Sequence, residues 1–499
     1  MFGSIAQAFA GMLSLSIFGL ILLGVFIGLV FGIIPGLSGS MAIALIIPLT
    51  YKMSSTTSIA LLISVFVGGI SGGCISAILL GIPGTNSSVA TTFDGYEMTK
   101  KGKASEALSA AVIANAIGTL PSMTIGMLLS VGLARIALHL SAWEYCTLGF
   151  LAITMVSTLS KGNMLKGLIA AGLGLLASCV GAAPIDGVMR FTFDNYNLLG
   201  GFGLTYVILG VFASRIVIME YAKGKGTDQM KIDRINGFRW PGEALAHHKR
   251  TILESWLMGL WIGFLPGFGS SVSSMVAYGR AKNTSKEPEE FGHGHIAGVL
   301  APEVANNASV GGALIPMMAL GIPGDGSTAY LLGALMLHGM DPGPLLFTEQ
   351  PVFSYTVFLV GIVSAVAVLL LQTVGLRLCA SVLKIPMHYL YPAIVVCCFI
   401  GVFANQKTMF GILMLLVFTL IGILFTYCNI PVAPFTMSFV IGEIIETNFR
   451  RAMTYSKTGY LAFLTRPVSA LLILAILFSV FSPILKELLA ARKRRSAQG

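Results

Sequence analysis

The chain has 499 residues, of which 55% are hydrophobic and only 10% charged, and its mean hydropathy is +0.86. Soluble proteins carry about 25% charged residues, so a soluble globular protein is excluded. The net charge of +10 would suit a nucleic-acid partner, but the basic residues sit at the ends of apolar runs and in connecting loops, where the positive-inside rule places them in a membrane protein.

The first charged residue is Lys52, and further charge-free runs cover 53–93, 107–134, 145–160, 167–185, 195–214, 255–279, 304–324, 351–376, 385–406, 408–442 and 467–485. Most reach the roughly 20 residues that a helix needs to cross a bilayer core. A transmembrane barrel would show ~10-residue segments of alternating polarity, and none appears. The expectation is an all-α integral membrane protein with about 11–12 membrane segments on length grounds. The opening stretch has no basic n-region and no small-residue cleavage site after a short apolar core, so it is expected to stay attached as part of the first span.

Within that first run, GLVFGIIPGLSGS (Gly28 to Ser40) places Pro35 beside Gly36 where a spanning helix ought to continue. GLWIGFLPGFGSS (Gly259 to Ser271) repeats the arrangement, with the identities Gly28/Gly259, Leu29/Leu260, Gly32/Gly263, Pro35/Pro266 and Gly36/Gly267. A second pair follows: GGCISAILLGIPGTNSS ends at Ser88, and GGALIPMMALGIPGDGST ends at Thr328. The longest polar interruption, 221–250, holds seven Lys or Arg against three acids and reads as a cytoplasmic linker. The division that follows is residues 1–220 as a first membrane repeat, 221–250 as the basic linker, 251–466 as a second membrane repeat, and 467–499 as a C-terminal helix with a basic tail. Shorter polar stretches at 94–103 and 279–294 read as loops at comparable places in the two halves.

An uncharged N-terminal segment outside and a basic linker inside require an odd number of crossings in the first half, which implies inverted repeats. One conflict stands. The segment 450–466 is as basic as the tail, and only the run 467–485 separates them.

Proline removes a backbone donor and glycine opens backbone angles closed to other residues, so each PG and GIPG motif predicts a helix that stops and restarts. Irregular backbone at membrane depth survives only inside protein or beside a water-filled cavity. Paired breaks in two halves are the sequence pointer to the midplane site of a secondary transporter. The restarts carry small and hydroxyl residues: Ser38, Gly39 and Ser40 after Pro35 and Gly36; Thr85, Asn86, Ser87 and Ser88 after Gly81, Pro83 and Gly84. In the second half, Gly269, Ser270 and Ser271 follow Pro266 and Gly267, and Asp325, Ser327 and Thr328 follow Gly321, Pro323 and Gly324. Free N–H groups at half-helix starts carry partial positive charge and suit an anion such as a carboxylate without a buried Lys or Arg. Asn306 and Asn307 join these as candidate substrate-binding residues, and Glu303 opens the same apolar run. Two roles are open to Asp325: a cation ligand or proton carrier, since an acid at membrane depth is functional by default, or the cap of the half-helix.

Arg135 and Arg377 flank spans and read as snorkelling anchors. The pair His293 and His295 lacks other ligand types nearby, and seven cysteines without a CxxC pair or metal spacing read as apolar filler, so no metal or cofactor is expected. The sequence lacks a GxxxxGK[ST] loop, an HExxH pair and a GxSxG elbow, which argues against an enzyme or an ATP-driven pump. A membrane-embedded enzyme acting on a lipid-linked substrate and a stand-alone carrier are the competing readings.

Four stretches then show a resemblance. Residues 301–347 (APEVANNASVGG to PLLF), 32–51, 72–108 and 448–473 closely resemble the large membrane subunit of tripartite tricarboxylate transporters. The resemblance implies the translocation pathway of a bacterial inner-membrane system that works with a small membrane subunit of about four spans and a periplasmic solute-binding protein. It implies carboxylate import coupled to sodium ions or protons, with an elevator-like movement of a substrate-carrying domain. The family's PG and GIPG motifs fall on those starting at Gly32, Gly81, Gly263 and Gly321.

Overall fold

The computed structural model describes residues 2–12, 14–35, 37–158, 164–222, 237–384, 387–456 and 458–496. Gly36, Lys457 and most of the basic linker therefore lie outside the described residues. The chain is helical, as its composition requires. In order, the main helices are α1 (Phe2–Met12), α2 (Leu15–Ile33), α3 (Gly39–Thr50), α4 (Ser55–Leu80), α5 (Val89–Lys100), α6 (Ala104–Ala137), α7 (Ala142–Thr158) and α8 (Met164–Ser178). There follow α9 (Lys249–Phe264), α10 (Gly269–Thr284), α11 (Ala297–Leu320), α12 (Gly326–Leu337), α13 (Pro351–Val374), α14 (Met387–Gln406), α15 (Met409–Tyr427), α16 (Val432–Tyr455) and α17 (Pro467–Ser496). The sole strand pairing among the described residues joins β1 (Gly181–Ala182) to β2 (Met189–Arg190), antiparallel, with Gly181 opposite Arg190.

Five described helices are long and apolar enough to cross a membrane: α2, α4, α6, α13 and α15. A sixth arises if Gly459–Thr465 and Pro467–Phe481, bent by 89°, count as one span. This is fewer than the charge-free runs suggest, because the breaks cut several runs into pieces of 12 to 16 residues, such as α3, α12, α9 and α10.

The chain forms two compact units, each drawing on both sequence halves: Met1–Arg135 with Thr205–Ile421, and Ile136–Leu204 with Gly422–Gly499. In the first unit α2 packs along α4, and α9 along α11. The shared glycines make this possible. A Cβ on Gly28 would fall against the Val65 carbonyl oxygen, and one on Gly259 against that of Ala305, each closer than 3.0 Å. Both pairs thus have backbone lying on backbone, which explains why these identities recur. The helices beneath, α4 from Ser58 to Leu79 and α11 from Ala297 to Ala319, are buried on every face. A helix with no polar face is built for a protein interior.

Of the stretches read as loops, 94–103 is largely helical, since α5 runs to Lys100, whereas in 279–294 only the end of α10, to Thr284, and a single turn at Pro288–Glu290 are helical. Tertiary hydrogen bonds override the polar composition of the first. Thr99 Oγ1 donates to the Ile78 carbonyl at 2.7 Å. Asp94, wholly buried, accepts at Oδ1 from the backbone N–H groups of Gly292 (2.9 Å), Gly294 (2.8 Å) and His295 (2.8 Å).

In the second unit α16 lies against α7 and α8, and α17 against α7. Arg190 donates to both oxygens of Glu446, at 2.5 and 3.0 Å. Arg450 reaches Glu446 at 2.8 Å and Asp186 at 2.6 Å, and Arg466 meets Glu144 at 2.7 Å. Two arginines of the basic segment 450–466, Arg450 and Arg466, are therefore paired with acids.

Candidate functional site

All four breaks lie in the first unit. After α2 the backbone turns extended at Ile34, and the Leu37 N–H bonds to the Ile34 carbonyl at 3.2 Å. The same turn recurs after α9, where the Phe268 N–H bonds to the Leu265 carbonyl at 3.4 Å. Pro35 and Pro266 sit in these turns, half-buried. Ser38 caps α3, its hydroxyl accepting from the Met41 N–H at 3.2 Å. The restart of α10 has no side-chain cap; Gly267 (φ 89°) and Gly269 (φ 59°) turn the chain instead.

The GIPG breaks match one another more closely. Gly81 (φ 67°) ends α4 and Gly321 (φ 70°) ends α11 in the left-handed region that glycine enters freely. Four residues on, Thr85 and Asp325 begin the next element in extended conformation. The Thr85 N–H donates to Ser88 Oγ at 3.2 Å, and the Asp325 N–H to Thr328 Oγ1 at 2.8 Å. Asp325 Oδ1 accepts from both the backbone N–H and the hydroxyl of Thr328, each at 2.8 Å. Asp325 is therefore a helix cap, satisfying one of the donors that every helix start leaves free.

Five contacts bring the breaks together. Ser40 Oγ, in the first turn of α3, shares a hydrogen bond of 2.9 Å with Ser327 Oγ, in the first turn of α12. The Gly267 N–H donates to the Gly324 carbonyl at 2.7 Å, and Gly269 lies against Asp325. In the first half, Gly84 lies against the Gly32 carbonyl, leaving no room for a side chain. The short helical turn Asn86–Ser88 contacts α10, where Ser270 is buried and Ser271 half-buried. Ser87 and Ser88 are buried and Asn86 exposed; Pro323 and Gly324 are buried, and Gly39 packs on Gly69.

The structure sends the two asparagines in different directions. Asn307 belongs to a closed network: it accepts from Ser71 Oγ (2.7 Å) and Thr119 Oγ1 (3.3 Å) and donates to Asn115 Oδ1 (2.8 Å) and the Glu303 carbonyl (3.1 Å). Gln372 completes it, donating to the Ser71 carbonyl at 3.0 Å. Asn306, equally buried, forms no well-aligned hydrogen bond at either amide atom. Ser71, Asn115, Gln372 and Asp94 escape a reading by motif, yet Asn115 and Gln372 are strongly polar residues inside otherwise apolar runs. That is the signal that marks a buried polar role at membrane depth.

A helical membrane protein whose broken helices restart beside one another, small residues and hydroxyls foremost, is of the transporter class. Residues 18–437 match the Tripartite tricarboxylate transporter TctA family, and the chain belongs to that family. It is 31% identical over 471 residues, 94% of each chain, to an Agrobacterium vitis protein described as "Uncharacterized 52.8 kDa protein in TAR-I ttuC' 3'region". A second Agrobacterium vitis protein, "Uncharacterized protein in TAR-II ttuC' 3'region", is 35% identical over 215 residues, 43% of this chain and 89% of that one. No solved structure matches.

Proposed function

We propose that the chain is the translocation subunit of a binding-protein-dependent secondary transporter that imports di- or tricarboxylates across the bacterial inner membrane. A sodium or proton gradient drives uptake. A small membrane subunit and a periplasmic solute-binding protein complete the system, and selectivity rests largely with the binding protein. The observation that carries the reading is the Ser40–Ser327 hydrogen bond, which joins half-helix starts from the two sequence halves. Each of those starts presents the positive end of a helix dipole, with one of its backbone donors taken by the Ser38 or Asp325 cap. A carboxylate entering here takes the place of that hydrogen bond, its oxygens accepting from both hydroxyls and from the backbone donors behind them. No buried cation is required, so the anion is held by dipoles and is not trapped by a full charge.

The test is uptake of labelled di- and tricarboxylates into vesicles holding this chain and its small partner. It is run with and without periplasmic extract, under imposed sodium or proton gradients. Uptake of one carboxylate only when extract and gradient are both present is the expected result. Equal uptake without extract makes the chain a self-sufficient carrier and removes the binding protein from the reading.

A further inference from the structure

We propose that Glu303, Asn306 and Thr91 hold the co-transported cation, an alkali metal ion of sodium's character. The inference rests on the secondary-transport reading above. Glu303 and Asn306 stand three residues apart on one face of α11, and both are fully buried. Thr91 Oγ1, from α5, donates to Glu303 Oε1 at 2.5 Å. The other oxygen, Oε2, meets no donor in good hydrogen-bond geometry; the Asn306 amide lies close enough to interact with the carboxyl, but neither of its polar atoms forms a well-aligned bond.

A buried carboxylate without a counter-charge is strongly disfavoured, and each unpaired polar atom beside it adds to the cost. No ion pair among the described residues involves Glu303. What the site offers is oxygen: two from the carboxylate, one from the hydroxyl and one from the amide. Hard cations choose such donors. One carboxylate balances one positive charge, and no cluster of three His, Cys, Asp or Glu exists among the described residues to favour a divalent or transition metal.

The two other acids near the breaks are already committed. Asp325 Oδ1 caps α12, and Asp94 accepts from three N–H groups and, at 2.9 Å, from the Tyr278 hydroxyl. The position also suits coupling. Thr91 lies on the helix that follows the first GIPG break, and Glu303 on the helix that leads into the second. A cation between them ties the first restart to the helix that leads into the second break.

The test uses the full chain with its small partner subunit. Dicyclohexylcarbodiimide, a hydrophobic reagent for carboxyl groups, is applied in choline chloride and in sodium chloride of equal ionic strength, and the modified residues are mapped by mass spectrometry. Glu303 is expected to react in choline and to be protected by sodium in a saturable way; equal modification in both salts overturns the site. In vesicles, E303Q is expected to lose about tenfold or more of sodium-driven accumulation, and N306A to raise the sodium concentration for half-maximal uptake about tenfold. Wild-type sodium dependence retained in E303Q overturns the assignment and leaves the transport reading intact. Proton-driven uptake with sodium-insensitive labelling removes the metal ion but not secondary transport. Wild-type uptake indifferent to both gradients sinks the transport reading itself. Should E303Q fail to assemble, the labelling of the unaltered protein decides the question.

Discussion

The two compact units handle polarity in opposite ways. In the second, Arg190, Arg450 and Arg466 meet Glu446, Asp186 and Glu144 in full ion pairs, with the Arg190 and Glu446 side chains only 21% and 17% exposed. In the first, the ion pairs among the described residues stand at exposed helix ends, as with Lys100–Glu97, Arg250–Glu254 and Arg280–Glu254. Its interior is held instead by amides, hydroxyls and helix caps. A paired charge locks a structure, since removing either partner leaves an uncompensated ion. Neutral hydrogen bonds contribute about 1 kcal/mol each and exchange readily with a guest. The unit that carries the breaks is built from the exchangeable kind.

The sharpest way to break this comparison is to attack the backbone contacts on which the first unit depends. Gly28→Ala and Gly259→Ala each force a Cβ into a carbonyl oxygen and should cost about 1–3 kcal/mol through overpacking. The expected result is loss of the monodisperse peak in gel filtration or a lowered thermal midpoint. Gly132→Ala, with open space around it, is the control. Normal stability in both motif variants would show that the helix pairs are looser than described.

Arg190→Ala sharpens the contrast from the other side. It strips Glu446 of its two-fold partner and should lower stability by about 2 kcal/mol, leaving the half-saturation for substrate unchanged in the protein that remains folded. A changed half-saturation with unchanged stability would move the pair from scaffold to site. Ser40→Ala and Ser327→Ala should do the reverse, costing about 1 kcal/mol or less in stability and raising the half-saturation for the carboxylate about tenfold. In stability the double variant should be no worse than either single one, because one hydrogen bond is shared, whereas the effects on half-saturation should add, because the carboxylate accepts from each hydroxyl; a double variant no worse than a single one in half-saturation would mean that only one hydroxyl meets the carboxylate.

The smallest effect concerns His248. Burial first, and then the neighbouring His295 and His247 rings, lower its pKa to about 4. An imidazole depressed in the folded state contributes stability above its unfolded value of about 6.5, and that stability is lost as the pH falls toward 4. The contribution is about 1 kcal/mol after allowance for solvent screening. Thermal midpoints of the wild type should therefore fall over that range more steeply than those of His248→Gln. Parallel curves would place the imidazole in open solvent.

Much of this was legible in the sequence where local chemistry decides. Pro35 and Pro266 cannot continue a helix, and Gly81 and Gly321 end theirs because glycine takes the left-handed conformation without strain. The restarts at Ser38, Thr85 and Asp325 follow from cap preference. What the sequence withheld depends on distant partners. Asn115 and Asn307 meet across 192 positions, Asn115 and Gln372 across 257, and no periodicity announces such pairings. The helical nature of 94–100 was hidden for the same reason, since Asp94 reads as a loop residue until its three backbone donors from 292–295 are in place.

The glycine contacts between α2 and α4, and between α9 and α11, also limit how the protein moves. With Gly28 seated on the Val65 carbonyl and Gly259 on that of Ala305, each pair has one permitted register, because a slide along the axis would drive a side chain into the same oxygen. Such pairs travel as rigid struts. Bending within this unit is then left to the joints around Ile34, Gly81, Leu265 and Gly321, where the helical ladder is interrupted, and the packed helix pairs between them are its stiff parts.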